Sequence, residues 1–406
     1  MERPAHVVQL SGDPLAHAAP RAELAARYLL WDAFVAGRRR VDVHPLVLPR
    51  ELHLAAVATA ENAVRILGRV AEQDDGRSFG PEVHRLISAS RAANDLSMLT
   101  RVDLLLGADG RWRVCEVNAD CPGGHNETLA LPSLARGAGW RECWNPTRVV
   151  PDTVRALGAL AKDGAVALLL LTGYAEDLQV CAVLARALKD AGIKAIRCSP
   201  GALRRRDGAL WAGSTRVTAL YRFFPTEYME GLANLSQIAE AVAQGEVRTL
   251  SSFAAMPLQT KAVMADAWRA RLLLGNDHDW VVKHVPFTAH LDALPRGTLE
   301  HERERWVLKR GLGRVGDQVV VGSLCTDDEW SFCLGAARDE HAQGLHWVAQ
   351  RFADQQTIDT PWGPRLVTLG AYVLDGRFEG YFARLTPESH VSHDALVLPV
   401  FVEGAA

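Results

Sequence analysis

Hydrophobic and polar positions change their period along the chain, and this change predicts the elements. In residues 13–100, alanine, leucine and aromatic residues recur at helical spacing, which predicts helices over 22–36, 52–72 and 81–90. From residue 164, AVALLLLTG predicts a buried strand, residues 176–191 an amphipathic helix, and IKAIRC a second strand. This order predicts two parallel strands with a right-handed crossover. The whole pattern predicts an α/β (α+β) fold.

The second half of the chain is predicted to consist mostly of strands joined by glycine-containing turns. One pair of strands flanks Asp375-Gly376, because an Asp-Gly step between alternating apolar residues is a strong hairpin signal. The strands that this pattern predicts lie at 281–288, 306–309, 319–321, 345–352, 366–374, 377–385 and 395–402.

A second Asp-Gly step, Asp109-Gly110, joins two strand-like segments nearer the start of the chain. If these two residues form the turn, Asp103 lies opposite Glu116 and Arg101 lies opposite Asn118. Because side chains alternate between the two faces of a strand, all four then point to one face.

The register of this hairpin decides its chemistry. Two opposed carboxylates roughly 5 Å apart repel each other, and a divalent cation would remove the repulsion. Oxygen ligands from Asp, Glu and Asn suit Mg²⁺, which usually takes one or two carboxylates together with substrate phosphates. If Ala108 and Asp109 formed the turn instead, Arg101 would oppose Glu116 in an ordinary salt bridge. The sequence leaves both registers open.

Two glycine-rich segments indicate phosphate binding. A Pro-Gly-Gly turn follows Asn118, and free amides in such a turn can hold an anion. Later, Lys309 precedes Gly311, Gly313 and Gly316, which form G-x-G-x-x-G. A dinucleotide fingerprint is rejected, because it requires a helix after the glycines and a strand follows here. The loop either closes over nucleotide phosphates or is an ordinary hairpin with a surface lysine.

Composition excludes several classes of protein. The chain has 406 residues, 23% of them charged, and a net charge of -3, so nothing indicates a nucleic-acid or membrane surface. Seven cysteines without CxxC spacing argue against a disulfide framework. The start lacks the apolar core of a signal peptide, and the longest apolar run, 165–171, is too short to span a bilayer. We expect a soluble, cytoplasmic protein of two or three domains.

Taken in order, the motifs resemble the circularly permuted ATP-grasp ligases, specifically the synthetase part of glutathionylspermidine synthase. The shared features are R-x-D, E-x-N-A-D, a β-α-β insert, a K-A-hydrophobic helix start, V-L-K with a glycine loop, and a late strand arginine. The resemblance implies a circularly permuted ATP-grasp fold with a Rossmann-like pre-ATP-grasp subdomain. We expect a division into residues 1–150, 151–255 and 256–406, the first with the hairpin, the second with the β-α-β unit and the third with the nucleotide-binding part.

The resemblance also implies an activity: ATP phosphorylates a small-molecule carboxylate, and an amine attacks the acyl phosphate to give an amide, ADP and phosphate. By the same resemblance, the implied site residues are Asp103, Glu116 and Asn118 for Mg²⁺, Arg101 and Arg384 for the transferring phosphoryl group, Lys261 and Lys309 for the ATP phosphates, Gly311, Gly313 and Gly316 for the lid, and Gln350 for the adenine hinge. Lys283 is a rival to Lys261.

The chain departs from the family at the substrate side. Cys121-Pro-Gly-Gly stands where glutathionylspermidine synthase has two serines after Asn-Ala-Asp, so contacts to the carboxylate substrate cannot be carried over. Two other functions stay open. They are a phosphotransferase on the same fold and a non-catalytic protein that binds a nucleotide or metabolite.

Overall fold

A five-stranded sheet, here called the hairpin sheet, joins two distant parts of the chain in the computed structural model, which describes residues 4–11, 14–16, 18–35, 37–313, 318–387 and 395–404. Its antiparallel strands lie in the order Leu396–Leu398, Arg377–Thr386, Leu366–Leu374, Leu99–Leu106 and Trp112–Asn118. The two predicted Asp-Gly hairpins therefore lie side by side. The division at residues 150 and 255 stays a prediction, and this sheet contains strands from both the first and the third of its parts.

Alternation along the strand Leu99–Leu106 separates core from site. Val102, Leu104 and Leu106 are buried in a core that also contains residues of the helix Arg50–Ala71. Asp103 and Leu105, which have the opposite parity, line a cavity on the other face of the sheet. The helix thus supports the sheet from behind, as its apolar period requires.

The predicted register of the first hairpin is confirmed, and two unpredicted features produce it together. Asp103 pairs with Glu116 and Arg101 with Asn118, so the salt-bridge register is wrong. The Gly107 N–H donates to the Arg111 carbonyl (2.8 Å), which makes a three-residue loop instead of the predicted two-residue turn. A bulge at Cys115, between Val114 and Glu116, shifts the pairing back by one residue.

A four-stranded antiparallel sheet, here called the lysine sheet, lies across the cavity from the hairpin sheet. Its strands lie in the order Thr288–His290, Trp347–Arg351, Trp306–Arg310 and Val319–Val321. The helix Asp327–Ala342 packs on it through Trp330, Leu334 and Ala337.

The strand predicted over 281–288 is wrong for most of its length. His278–His284 is an α-helix, and only Thr288–His290 forms a strand. Val281 is fully buried whereas Val282 is 51% exposed, so packing on one helix face outweighs the β-propensity of the two valines. The helix ends before Pro286, as the conformational restriction on the preceding residue favours.

The β-α-β prediction is confirmed. Ala165–Leu170 pairs in parallel with Ala195–Cys198 and with Thr215–Phe223, and the helix Ala175–Asp190 connects the first two strands. The same sheet continues through Ala209–Ala212 and Leu203–Arg206, which are antiparallel, and Arg248–Leu250 pairs in parallel with Thr215–Phe223.

The remaining elements complete a mixed α/β architecture. One small sheet contains His6–Val7, Leu46–Leu48 and Val400–Val402. A second small sheet pairs Phe34–Val35 with Arg38–Arg39. The other α-helices are Ala18–Ala26, Pro81–Ala92, His125–Gly137, Val149–Ala161, Leu235–Ala243, Met256–Gln259, Ala262–Arg269, Arg271–Leu274 and Thr298–His301. Within the described ranges, no helix combines the length and the apolar character needed to cross a bilayer. The cytoplasmic location stays a prediction.

Candidate active site

Asp103 lies at the centre of a charged cluster on the cavity face of the hairpin sheet. The guanidinium of Arg101 donates from Nε to Oδ1 (2.7 Å) and from Nη2 to Oδ2 (3.0 Å) of Asp103. Arg384, two strands away, donates to the same Oδ2 at 2.6 Å. The amide nitrogen of Asn118 lies 3.3 Å from Asp103 Oδ2 and 3.2 Å from Glu116 Oε1. The structure therefore brings five predicted residues together.

Glu116 is the more accessible of the two acids and pairs with Lys261, which lies just before the helix Ala262–Arg269. Its Oε2 lies 3.2 Å from Lys261 Nζ, and its side chain is 23% exposed, against 1% for Asp103. Burial alone would raise the pKa of the Glu116 carboxyl. The charges of Lys261, Lys309 and the two site arginines outweigh burial and hold that pKa well below its ordinary value.

Lys309 reaches the same cavity from the lysine sheet. Its ammonium donates to Gln350 Oε1 at 2.7 Å and to the Cys115 carbonyl at 3.2 Å, and it lies 3.4 Å from Cys115 Sγ. Lys309 and Gln350 are 5% and 3% exposed. Lys309 is therefore not the surface lysine of an ordinary hairpin. The Gln350 side chain is occupied by Lys309.

The two candidates for the second phosphate lysine lie in different surroundings. Lys261 is buried, and its Nζ donates to the Gly313 carbonyl at 2.8 Å in addition to pairing with Glu116. Its rival Lys283 is exposed on the helix His278–His284. Gly311 accepts from the Lys261 backbone N–H at 2.9 Å, so the first part of the glycine segment is fixed beside Lys261. Gly316 lies outside the described residues.

Two cavities meet at this cluster. The first, here called the cleft cavity, lies between the sheets, and its lining includes Asp103, Cys115, Glu116, Lys309, Gln350, Phe352 and Arg384. The second, here called the side cavity, is lined by Arg40, Arg101, Glu116, Asn118, Cys121, Gly123, Glu176, Asp177, Phe223, Pro225, Phe382, Arg384, Ala395 and Val397. Glu116 and Arg384 line both cavities, so a group bound in one can contact a group bound in the other.

Sequence reasoning missed the far wall of the side cavity. Arg40 lies in an arginine run that is typical of a solvated turn, yet it pairs with Asp32 and donates to Glu127 Oε1 at 2.9 Å. Burial and the Asp32 charge raise the pKa of Glu127 to about 7, although Arg40 opposes this shift. Glu176 lies in the first turn of the helix Ala175–Asp190 and has no motif that links it to the hairpin. No signal along the chain could have brought these residues together.

Comparisons with known proteins identify the family of this chain. A model of the family described as glutathionylspermidine synthase preATP-grasp matches residues 50–403. The chain belongs to this family. A glutathione synthetase-like effector from Globodera pallida, solved in its apo form, is similar with a TM-score of 0.59 at 12% identity, covering 97% of this chain and 98% of that one. A protein described as a gamma-glutamylcysteine synthetase from Methylobacillus flagellatus gives 0.42 at 13% identity, with 82% and 84% covered. No curated protein sequence matches the chain.

Membership of the glutathionylspermidine synthase preATP-grasp family confirms the resemblance and the predicted fold class. The likeness to the Globodera pallida structure supports the fold alone. In this permuted arrangement the acidic hairpin comes early in the chain, and the strands with Arg384 come late, within one sheet. The family is that of a synthase, which supports the prediction of a ligase. The roles of the individual residues are proposals.

Gly124 lies directly before the helix His125–Gly137 and packs closely against two aromatic side chains of the hairpin sheet. Its replacement is expected to destabilise the protein. Its φ is +97°, and an added Cβ would lie 2.6 Å from the Tyr372 hydroxyl and from the Phe382 ring. Gly124→Ala should therefore lower the free energy of unfolding by about 2 kcal/mol or more, measured by urea denaturation. Gly139→Ala is the matched control, with φ +99° and no atom within 4 Å, and should cost about 1 kcal/mol. Equal losses would contradict the steric argument.

Proposed function

We propose that this protein is an ATP-dependent carboxylate–amine ligase. ATP would phosphorylate a small-molecule carboxylate, and an amine would then displace the phosphate to form an amide, with release of ADP and phosphate. The observation that carries the proposal is the pair of cavities that share Glu116 and Arg384. One cavity suits a nucleotide and the other a smaller substrate, and the shared residues lie where the transferred phosphoryl group would pass.

The cleft cavity supports ATP binding by its charges and its walls. Lys309 and Arg384 line the cavity and offer an ammonium and a guanidinium group for the phosphates. Lys261 lies behind the lining, where its ammonium is 3.2 Å from Glu116 Oε2. Arg384 Nε is buried and has no hydrogen-bond partner among the described residues, so a phosphoryl oxygen would satisfy it. Apolar side chains, among them Val307 and Phe352, line the cavity and suit an adenine base. Phosphoryl transfer needs such positioned charges and no protein nucleophile.

The acidic hairpin supports the binding of Mg²⁺. Glu116, Asp103 and Asn118 form an oxygen-rich donor set of two carboxylates and one amide, which fits Mg²⁺ better than a thiolate- or imidazole-binding metal. Within the described ranges no group of three or more His, Cys, Asp and Glu side chains is placed to hold a metal ion, so the two carboxylates would share Mg²⁺ with the Asn118 amide and with the ATP phosphates. Glu116 would be the principal ligand, because both Asp103 oxygens already accept from guanidinium groups. Bound Mg²⁺ would neutralise charge on the phosphates.

The side cavity supports the substrate assignments. Arg101 and Arg384 at the shared end suit a carboxylate, and they would stabilise the negative oxygens of an acyl phosphate. Glu176 and Asp177 line the same cavity and suit a positively charged amine.

The test is ADP release from ATP and Mg²⁺ with pools of carboxylates and amines, supplied separately and together. A ligase should need both substrates for full turnover, and the amide product should appear in a mass spectrum in equal amount to ADP. Full turnover with a single acceptor would instead indicate a phosphotransferase. Absence of ADP release with every pool, together with measurable ATP binding, would indicate a non-catalytic nucleotide-binding protein.

A further inference from the structure

A chain of hydrogen bonds lies behind Lys309. The Lys309 ammonium donates to Gln350 Oε1 at 2.7 Å, and Gln350 Nε2 donates to Thr288 Oγ1 at 3.0 Å. Thr288 Oγ1 in turn donates to the Pro286 carbonyl at 2.8 Å. Thr288 and Gln350 are direct partners on neighbouring strands of the lysine sheet, so their side chains share one face. Thr288 is 1% exposed and does not line the cleft cavity among the described residues.

The direction of donation along these hydrogen bonds follows from the last acceptor, the Pro286 carbonyl. A carbonyl oxygen only accepts, so the single hydroxyl proton of Thr288 is used on Pro286. Thr288 must then accept from Gln350, which places the amide NH₂ towards Thr288 and the amide oxygen towards Lys309. Gln350 Nε2 also lies 3.6 Å from Met264 Sδ, a weak acceptor that favours the same orientation. Without Thr288 Oγ1 the amide could rotate by half a turn and present its donors to a cation.

We propose that Thr288 is a positioning residue that acts through Gln350 on Lys309. A lysine ammonium ends a flexible four-carbon chain, so a fixed acceptor keeps it in the cavity at a smaller loss of side-chain freedom when the phosphates bind. In this assignment Gln350 orients the lysine, and its side chain does not contact adenine. The inference rests on the proposed function, since it concerns the binding of ATP phosphates.

The test compares Thr288→Val, which keeps the shape and removes the acceptor, with Thr288→Ser, which keeps the hydroxyl. Calorimetry measures the binding of the non-hydrolysable analogue AMP-PNP with Mg²⁺. A displacement titration measures the binding of adenosine, which has the base without phosphates. Thr288→Val should weaken AMP-PNP binding about tenfold, or ~1.4 kcal/mol, and leave adenosine binding within about twofold. Thr288→Ser should restore AMP-PNP binding to near the wild-type value.

The outcomes separate this inference from the proposed function. If Thr288→Val weakened adenosine and AMP-PNP equally, or changed neither, the positioning role would be overturned while ATP binding by the wild type stood. Failure of the wild type to bind AMP-PNP would overturn both. Should Thr288→Val fail to fold, Gln350→Met tests the next link of the same hydrogen-bond chain, because it removes the oxygen that accepts from Lys309. It is expected to give the same selective loss.

Discussion

Replacing Glu116 with glutamine is expected to lower the rate of ADP release by at least about a hundredfold while the protein stays folded. Glutamine has nearly the same shape, so the change removes the charge and little else. The Glu116 Oε2 atom lies 3.2 Å from Lys261 Nζ, and the Glu116 side chain lines both cavities. Without it, four neighbouring cations lose a counter-charge and Mg²⁺ loses its principal ligand. The reaction would then lose both its metal and the arrangement of its lysines.

The low pKa of Glu116 means that the charge of this side chain does not change over the pH range of the experiment. Because nearby cations hold this pKa well below its ordinary value, the carboxylate stays ionised throughout the neutral range. Its favourable contribution is lost only as the pH falls through that low pKa. The effect of Glu116→Gln should therefore be the same at pH 6, 7 and 8. The control is Glu51→Gln, an exposed position on the helix Arg50–Ala71, which should turn over like the wild type. A Glu116→Gln protein with more than about half of the wild-type rate would contradict the assignment.

Arg222→Met is expected to have the largest effect on stability, with a loss of about 3–5 kcal/mol in the free energy of unfolding. Arg222 and Asp120 form an ion pair in which both side chains are fully buried. The guanidinium also donates to the carbonyls of Ser251 and Ser252, both at 3.1 Å. Thr226 donates to Asp120 through its backbone N–H at 2.9 Å. Removing the arginine leaves the buried Asp120 carboxylate without its counter-charge. The ion pair also joins the end of the hairpin to the β-α-β subdomain, so its loss should weaken the contact between them.

The matched control for this change is Arg205→Met. Arg205 pairs with Glu246 and Glu240, but its side chain is 23% exposed, so its removal should cost no more than about 1 kcal/mol. Chemical denaturation of both variants gives the comparison. Arg222→Met with a loss as small as that of Arg205→Met would mean that the buried pair contributes little. The double change Arg222→Met with Asp120→Leu should recover part of the loss, because it removes the unpaired charge.

The acidic hairpin shows how far sequence reasoning reaches. Local turn chemistry and the period of two placed Asp103 opposite Glu116, and the structure agrees. The agreement depends on a three-residue loop and a bulge that compensate each other, and neither was predicted. The bulge places Cys115 and Glu116 together in the lining of the cleft cavity, while Val114 and Val117 on either side stay in the core. In the sequence, the only sign of the bulge is that the alternation of apolar and polar residues breaks within RWRVCEVN.

Other features depend on tertiary contacts that no local pattern carries. The valines at 281–282 favour a strand by composition, yet the segment packs as a helix with one valine inside and one outside. Arg40 reaches the side cavity because its segment pairs with Val397, in the edge strand Leu396–Leu398 of the hairpin sheet, and the Arg40 carbonyl accepts from the Val397 N–H at 2.8 Å. By contrast, the prediction that Lys309 holds the ATP phosphates followed from a resemblance in the order of motifs, and the structure places Lys309 in the lining of the cleft cavity with Glu116.

A crystal structure with AMP-PNP and Mg²⁺ tests the proposed ATP site directly. We expect the nucleotide between the hairpin sheet and the lysine sheet, with its phosphates on Lys309 and Lys261 and with the metal on Glu116. We also expect Arg384 to contact the terminal phosphoryl group. A nucleotide bound elsewhere, or a cluster in which Asp103 and Glu116 stayed neutralised only by arginine and lysine, would contradict the proposed function.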